Sequence, residues 1–415
     1  MSATLSPAVP KPPHIPDSAV VDFDFFRDPA YLADPHRRIL ELVRTAPPVC
    51  WTPRNGGHWM FLSHAANFRA ARDPQSFSSQ FVTEEQMKAF VAQLPAGTPH
   101  IPQAVPINLD PPDHTKYRAP LQQAFSPKTM LALKDSIRAL ANELIDRVKE
   151  RGRCDFMVEI AEPLPVQVFL RLLGLPLERQ AEYRAIVRDQ LQSVESDPKK
   201  SMLNLLKVTA SMRETILERR DHPRDDLLSL LWKSEIDGRP TTMEDMENYG
   251  VLLFIAGLDT VMNGMGFGVR HLAQDLVLQR ELRANPRRIP VATEELLRRY
   301  TFTVPVRKVR KDLVFEGLAM KAGERVMLFL PAADLDPTEF PASDRLDIDR
   351  EKPHIAFNAG PHRCLGSHLA RVELQTLYEQ MLARLPEFRL DPDRPPKFHG
   401  GPVIGVDSLW LVWDL

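Results

Sequence analysis

The sequence predicts a mainly α-helical chain with a small β region, folded as a single domain. Three observations predict it. Apolar residues recur at helical spacing along most of the chain, the extended runs are few and short, and the runs at 49–62 and 313–330 are broken by glycines. Of 415 residues, 43% are hydrophobic and 26% charged, the balance of an ordinary globular protein. That length holds one large domain or two ordinary ones. There is no internal repeat, and the proline clusters at 10–16, 95–106 and 386–396 read as an arm and loops. The expected division is a proline-rich arm over 1–20 and one domain over 21–415.

Each element has a local reason. Val49-Cys50-Trp51-Thr52, the turn Asn55-Gly56-Gly57 and the run 58–62 make a β-hairpin around a glycine turn. Amphipathic helices are expected over 131–149, 165–173 and 203–219. Thr242 opens the most apolar helix, and Asp245 three residues later completes a capping box. Another helix is expected over 290–299. Short strands follow over 313–330, broken at Gly317 and Gly323, then a helix over 367–385 and a closing strand over 409–413.

Charge and cysteine usage exclude some functions. With 53 basic and 55 acidic residues the formal net charge is −2, so no cationic excess exists to drive obligate nucleic-acid binding. Three cysteines, Cys50, Cys154 and Cys364, offer no disulfide framework and fit a reducing cytoplasm. The N-terminal stretch lacks the apolar core of a signal peptide or membrane anchor, and the run 251–258 is too short to span a bilayer. A soluble, cytoplasmic protein is expected.

Four segments carry chemistry. Cys364 lies in Phe357-Asn-Ala-Gly360-Pro-His362-Arg-Cys364-Leu-Gly366, directly before an apolar helix pattern. A helix start stabilises a thiolate, and glycines at 360 and 366 let backbone approach a flat ligand. A thiolate so held is a soft, electron-donating metal ligand. Phe254-Ile255-Ala256-Gly257-Leu258-Asp259-Thr260-Val261 interrupts the apolar helix with residues that suit a helix interior badly. Function or a simple kink would explain it. Glu295 and Arg298, at i, i+3, need be no more than a surface ion pair. Asp110-Pro111-Pro112-Asp113-His114-Thr115-Lys116-Tyr117-Arg118 reads by itself as a helix start with a solvated face.

Together these segments resemble the haem-thiolate monooxygenases, or cytochromes P-450, and most of all the bacterial camphor-hydroxylase group. Asn55-Gly-Gly-His-Trp59, Phe77-Ser-Ser79, Ala161-Glu-Pro163 and Leu411-Val-Trp-Asp414 extend the likeness over nearly the whole chain. The resemblance implies a single-domain cytochrome P-450 fold holding haem b, iron protoporphyrin IX, between a distal Asp-Thr helix and the proximal cysteine loop. It makes Cys364 the axial thiolate, places His362 near a propionate, packs Phe357 under the ring and sets Gly366 against the cofactor. His114, Arg118 and Arg307 become propionate ligands. Ala256 and Gly257 leave room for dioxygen, Thr260 hydrogen-bonds it and Asp259 relays protons. Glu295, Arg298 and Arg345 form a structural triad, with Leu346 standing where the family usually has Phe. Leu252, Ile255, Thr303 and Val403 are the implied substrate pocket.

The implied reaction hydroxylates an unactivated C–H bond of a small hydrophobic substrate, a monoterpenoid or norisoprenoid. It uses O2 and two electrons from a 2Fe–2S ferredoxin served by an NADH-dependent ferredoxin reductase. The expected dock lies near Lys116, Arg118, Lys352 and Arg363. Camphor-binding members hold the ketone with a tyrosine before Asp-Pro-Pro, but no tyrosine occurs between Ser78 and Asp110. That loop instead carries Phe81, Met87, Phe90, Val91, Leu94 and Ile101, which favours a less polar terpenoid than camphor. A haem-thiolate peroxygenase or isomerase is the alternative, and the intact Asp259-Thr260 pair argues against it. A non-enzymatic haem sensor would need an output domain, for which the one fold leaves no chain.

Overall fold

The computed structural model describes residues 4–82, 84–92, 100–196 and 198–415. The chain divides into two compact units. One comprises Met1–Ser78, Leu133–Glu162 and Met262–Leu415, and the other comprises Ser79–Ala132 and Pro163–Val261.

The first unit is built on a five-stranded mixed sheet. Val49–Thr52 pairs antiparallel with His58–Phe61, with Val49 opposite Phe61. Asn55, Gly56 and Gly57 all take positive φ in the turn, a conformation that glycine adopts freely and asparagine tolerates. Arg325–Leu328 joins His58–Phe61 in parallel, and Val306–Val309 and Phe77–Ser78 complete the order. All eight residues of the hairpin strands are buried, because this sheet is covered by the helix His64–Ala71 and by the N-terminal arm. Trp51, Trp59, Phe61, Phe77, Phe315 and Val326 form that core with Ala66, Ala70 and Ala71; Ile15 and Ala19 of the arm pack into it. The arm is also tied by hydrogen bonds, Val9 N–H to Pro53 O at 2.9 Å and Ser6 N–H to Asp24 Oδ2 at 2.7 Å.

Helices complete this unit. The pattern over 131–149 is realised as two helices, Pro127–Leu131 in the other unit and Lys134–Asp146 in this one. The second buries Ile137, Leu140, Ala141, Leu144 and Ile145 at i, i+3, i+4, i+7 and i+8 and packs on Ser367–Arg384. Ile289–Arg299 also packs on Ser367–Arg384. The closing strand, Trp410–Trp413, lies between Phe388–Leu390 and Arg153–Asp155.

Among the described residues the second unit is helical, with one small hairpin of Glu235–Ile236 and Arg239–Pro240. Met243–Gly257 packs on Pro163–Leu173 and Pro198–Asp221. Its expected capping box is present: Asp245 N–H donates to Thr242 Oγ1 at 3.3 Å and Thr242 N–H donates to Asp245 Oδ2 at 2.8 Å. Arg239 adds two bonds to the same carboxylate, at 2.6 and 3.0 Å. The Asp-Pro-Pro segment opens the helix Asp113–Ala124. By length and composition the stretch Met243–Gln274 is apolar enough to cross a membrane, but it is mostly buried in the protein, as a core helix is. It is also broken, since one helix ends at Gly257 and the next begins at Thr260.

Candidate functional site

In the first unit the cysteine loop is closed by its own backbone, Cys364 N–H donating to Phe357 O at 2.8 Å. Asn358 and Gly360 turn the chain with φ of 60° and 67°. A side chain at Gly360 would meet the Ala71 carbonyl, so glycine here answers the turn and the neighbouring helix. Gly366 has ordinary φ and open space where a side chain would stand. Cys364 is exposed while Cys50 and Cys154 are buried, and burial pushes both of those thiols up to about 12. Cys364 alone is placed to present a thiolate. His362 is half-buried in the turn Gly360–His362, and Arg307 is buried on the strand Val306–Val309.

The loop stands on a buried polar brace. Arg298, 1% exposed, uses all five of its N–H donors. Nε and Nη2 bind the Glu295 carboxylate at 2.8 Å each, Nη1 binds Asp334 O and Ser343 O at 2.7 and 3.0 Å, and Nη2 binds Arg345 O at 2.9 Å. The expected third member of the triad is corrected here. The arginine whose side chain meets Glu295 is Arg350, with Nε 3.2 Å from Oε1. Arg345 is exposed and gives only its carbonyl, because the chain reverses after it and brings the later arginine inward. The fully buried Asp334 carries the brace into the loop, accepting Ile355 N–H at 2.8 Å and the Thr301 hydroxyl at 2.6 Å. Burial pushes its carboxyl above the usual range. Thr303 and Val403 are brought together as a β-bridge.

In the second unit the helix break carries the Asp-Thr pair. Thr260 Oγ1 donates to Ala256 O at 2.9 Å, and Asp259 is buried. Arg184, which sequence reasoning missed, donates Nη1 to Leu258 O at 2.8 Å and so satisfies a carbonyl at the break. Gly257 is required by packing: a methyl there would lie 2.5 Å from the Phe169 ring on Pro163–Leu173. Beside it, Leu252 and Ile255 are half-buried and Ala256 is exposed, while Val251, Leu253 and Phe254 are buried. The helix thus leaves one apolar stripe uncovered. His114 is buried and Arg118 half-buried on Asp113–Ala124.

Of the apolar loop, Phe81 and Val91 are exposed and Ile101 is buried. Leu94 and the side chains of Met87 and Phe90 lie outside the described residues. Two of the expected docking cations are engaged within the protein. Lys116 pairs with Asp113 and Asp237 at 3.3 and 3.0 Å, and Lys352 pairs with Glu339 at 3.1 Å.

An accessible cysteine on a braced loop and an apolar helix broken at Asp-Thr are the parts of a haem-thiolate oxygenase. Comparison with known proteins agrees: a family profile, Cytochrome P-450, matches residues 187–406. The chain is 34% identical to "Probable cytochrome P-450 127A1" of Sinorhizobium fredii, over 97% of both chains. It is 33% identical to "Steroid C26-monooxygenase" of Mycolicibacterium smegmatis, over 94% of this chain and 96% of that one. Among solved structures, CYP101J2 aligns with TM-score 0.86 and 32% identity, covering 98% of this chain and all of that one. CYP101C1 aligns with TM-score 0.86 and 30% identity at the same coverage. The chain belongs to the cytochrome P-450 family, whose members are monooxygenases using haem b with an axial cysteine thiolate. The residues present fit that group: in the first unit an exposed cysteine on a braced loop, and in the second an uncovered apolar stripe beside the Asp-Thr break.

Proposed function

We propose that this monooxygenase hydroxylates an unactivated C–H bond of a compact hydrophobic substrate, a monoterpenoid or norisoprenoid. The observation that carries the reading is the uncovered stripe of Leu252, Ile255 and Ala256 beside the Asp259-Thr260 break. It offers apolar surface and no charge to orient a substrate. Haem b, when bound, supplies dioxygen activation and C–H hydroxylation.

The chain's own residues would then do the following. Cys364 would hold the haem iron through its thiolate, with Phe357 and Gly366 as cofactor-binding residues beside it. By the resemblance, His114 and Arg118 of the second unit and Arg307 and His362 of the first would be propionate partners, since burying carboxylates needs charged, hydrogen-bonded partners. Thr260 would hold a proton at Oγ1, which here donates to Ala256 O at 2.9 Å, and Asp259 would be the carboxyl that resupplies it. By the resemblance, Leu252 and Ile255 of the second unit and Thr303 and Val403 of the first would be the substrate-binding residues, and being uncharged they would exclude water. Ala256 and Gly257 keep that turn of the helix thin. Electrons would come from a 2Fe–2S ferredoxin, reduced by its NADH-dependent reductase.

An apolar wall discriminates one methylene by only about 1–3 kcal/mol, so several related substrates should be accepted. The test is an optical titration of the ferric protein with monoterpenoids, norisoprenoids and a sterol. A low-to-high spin shift with the small terpenoids is expected. A shift with the sterol alone would overturn the substrate reading in favour of the steroid chemistry named for one relative.

A further inference from the structure

Behind the cysteine loop lies a charged network that the roles above leave unused. Arg371, on Ser367–Arg384, holds its guanidinium 4.5 Å from the centre of the Phe357 ring, and Phe357 O is the acceptor for Cys364 N–H. The guanidinium is locked in place. Nε and Nη2 each lie 2.7 Å from a carboxylate oxygen of Glu294, and Nη1 donates to Ser367 O at 3.3 Å. Glu294 also meets His354 Nε2 at 3.2 Å. Ala356 N–H donates to His354 Nδ1 at 3.1 Å, so Nε2 is the ring nitrogen that donates to Glu294.

Burial opposes ionisation of Glu294, yet the bonds from His354 and Arg371 hold its carboxyl down to about 2. Arg371 and Glu294 therefore both carry charge at neutral pH, and the two charges balance. The fork is bidentate, a geometry that only arginine provides. A cation seated on an aromatic face is attracted by the ring quadrupole. This is more order than a solvent-facing ion pair needs, and it is built around the aromatic residue that closes the Cys364 loop.

We propose that Arg371 is a positioning residue for Cys364: stacked on Phe357 and neutralised by Glu294, it sets the electron density of the thiolate and hence the reduction potential of the haem it holds. The inference rests on Cys364 as the ligand. Outer-shell groups tune a bound metal through charge and through ligand orientation, and here the two effects are separable. Removing Glu294's charge leaves the cation uncompensated and favours the electron-richer, reduced state. Removing the cation leaves the carboxylate and favours the oxidised state.

The experiment is an equilibrium redox titration of the haem-loaded protein with mediator dyes and no ferredoxin, on wild type, Glu294→Gln, Arg371→Met and Arg371→Lys. Glu294→Gln should raise the midpoint potential by about 59 mV, a tenfold change in a one-electron equilibrium. Arg371→Met, which keeps an apolar contact with Phe357, should lower it by a similar factor. Arg371→Lys, which restores the charge but not the fork, should lie nearer wild type than Arg371→Met does. Shifts of the same sign in Glu294→Gln and Arg371→Met, or no shift in either, would overturn the proposal, because a merely structural brace has no reason to reverse sign. A wild-type ferrous–carbonyl spectrum lacking the thiolate signature would overturn the ligand assignment as well, and is read before any variant.

Discussion

Glu373 should make this protein less stable as pH rises through neutrality. It lies in Ser367–Arg384 with 1% of its surface exposed, and among the described residues nothing hydrogen-bonds its Oε1. Burial pushes its carboxyl up to about 8, from an ordinary value of 4.5. The folded chain keeps this proton across a range where the unfolded chain has released it. The unfolded state then binds fewer protons, so stability falls as pH rises from about 4.5 to 8, by about 1.4 kcal/mol per unit. The accumulated cost is about 1 kcal/mol at pH 5 and about 4 kcal/mol at pH 8. Glu373→Gln removes the titration, with a pH-independent offset for the extra buried N–H. At about 2.1 cal/mol/K per residue, a chain of 415 residues changes Tm by about 1 °C per kcal/mol. Melting curves of the two proteins at equal haem content should therefore separate by about 4 °C more at pH 8 than at pH 5, in favour of the variant. A separation that is constant, or that narrows with pH, would refute the reasoning and mean that the ionised carboxylate has a partner.

Other expectations follow from named contacts. Burial lowers the His36 and His58 pKa values to about 3, so both fold as neutral rings. The stability they protect is complete above about 6.5 and is lost as pH falls toward 3, about 2 kcal/mol each by pH 5. His58→Leu should therefore lose less stability than wild type between pH 7 and pH 5 in urea titrations, and equal losses would contradict this. Gly257→Ala should cost about 1–3 kcal/mol by overpacking against Phe169. Phe169→Leu in the same chain should recover part of that cost in melting temperature, and a neutral single variant would remove the packing argument. Arg298→Lys strands at least two buried carbonyls and should cost about 3–5 kcal/mol, read as lost melting temperature and haem retention. A loss under 1 kcal/mol would mean that the five-donor brace is dispensable.

How much was legible in the sequence follows from how local each signal is. The capping box at Thr242 and Asp245, the glycine hairpin after Thr52 and the breaks at Gly317 and Gly323 are set by a few neighbouring residues, and the structure shows each of them. Apolar periodicity ran smoothly over 131–149 but could not show the turn at 132–133 between two helices. In the 341–350 segment both Arg345 and Arg350 follow an aspartate; which one reaches Glu295 depends on a chain reversal without a periodic signature. Gly257 was visible as an oddity, but its packing reason lies on a helix 88 residues earlier, at Phe169. The Glu294–Arg371 fork joins side chains 77 residues apart, and neither is unusual where it stands. What was legible was local geometry and the cysteine motif, while the brace around that motif is non-local.

The most direct test of the central claim is the ferrous–carbonyl spectrum of the haem-loaded protein and of Cys364→Ser. The account predicts a thiolate-type spectrum in the wild type that is lost in the variant, since Cys50 and Cys154 are buried with thiols held protonated. A thiolate-type spectrum that survives in Cys364→Ser would contradict it and place the ligand elsewhere in the chain.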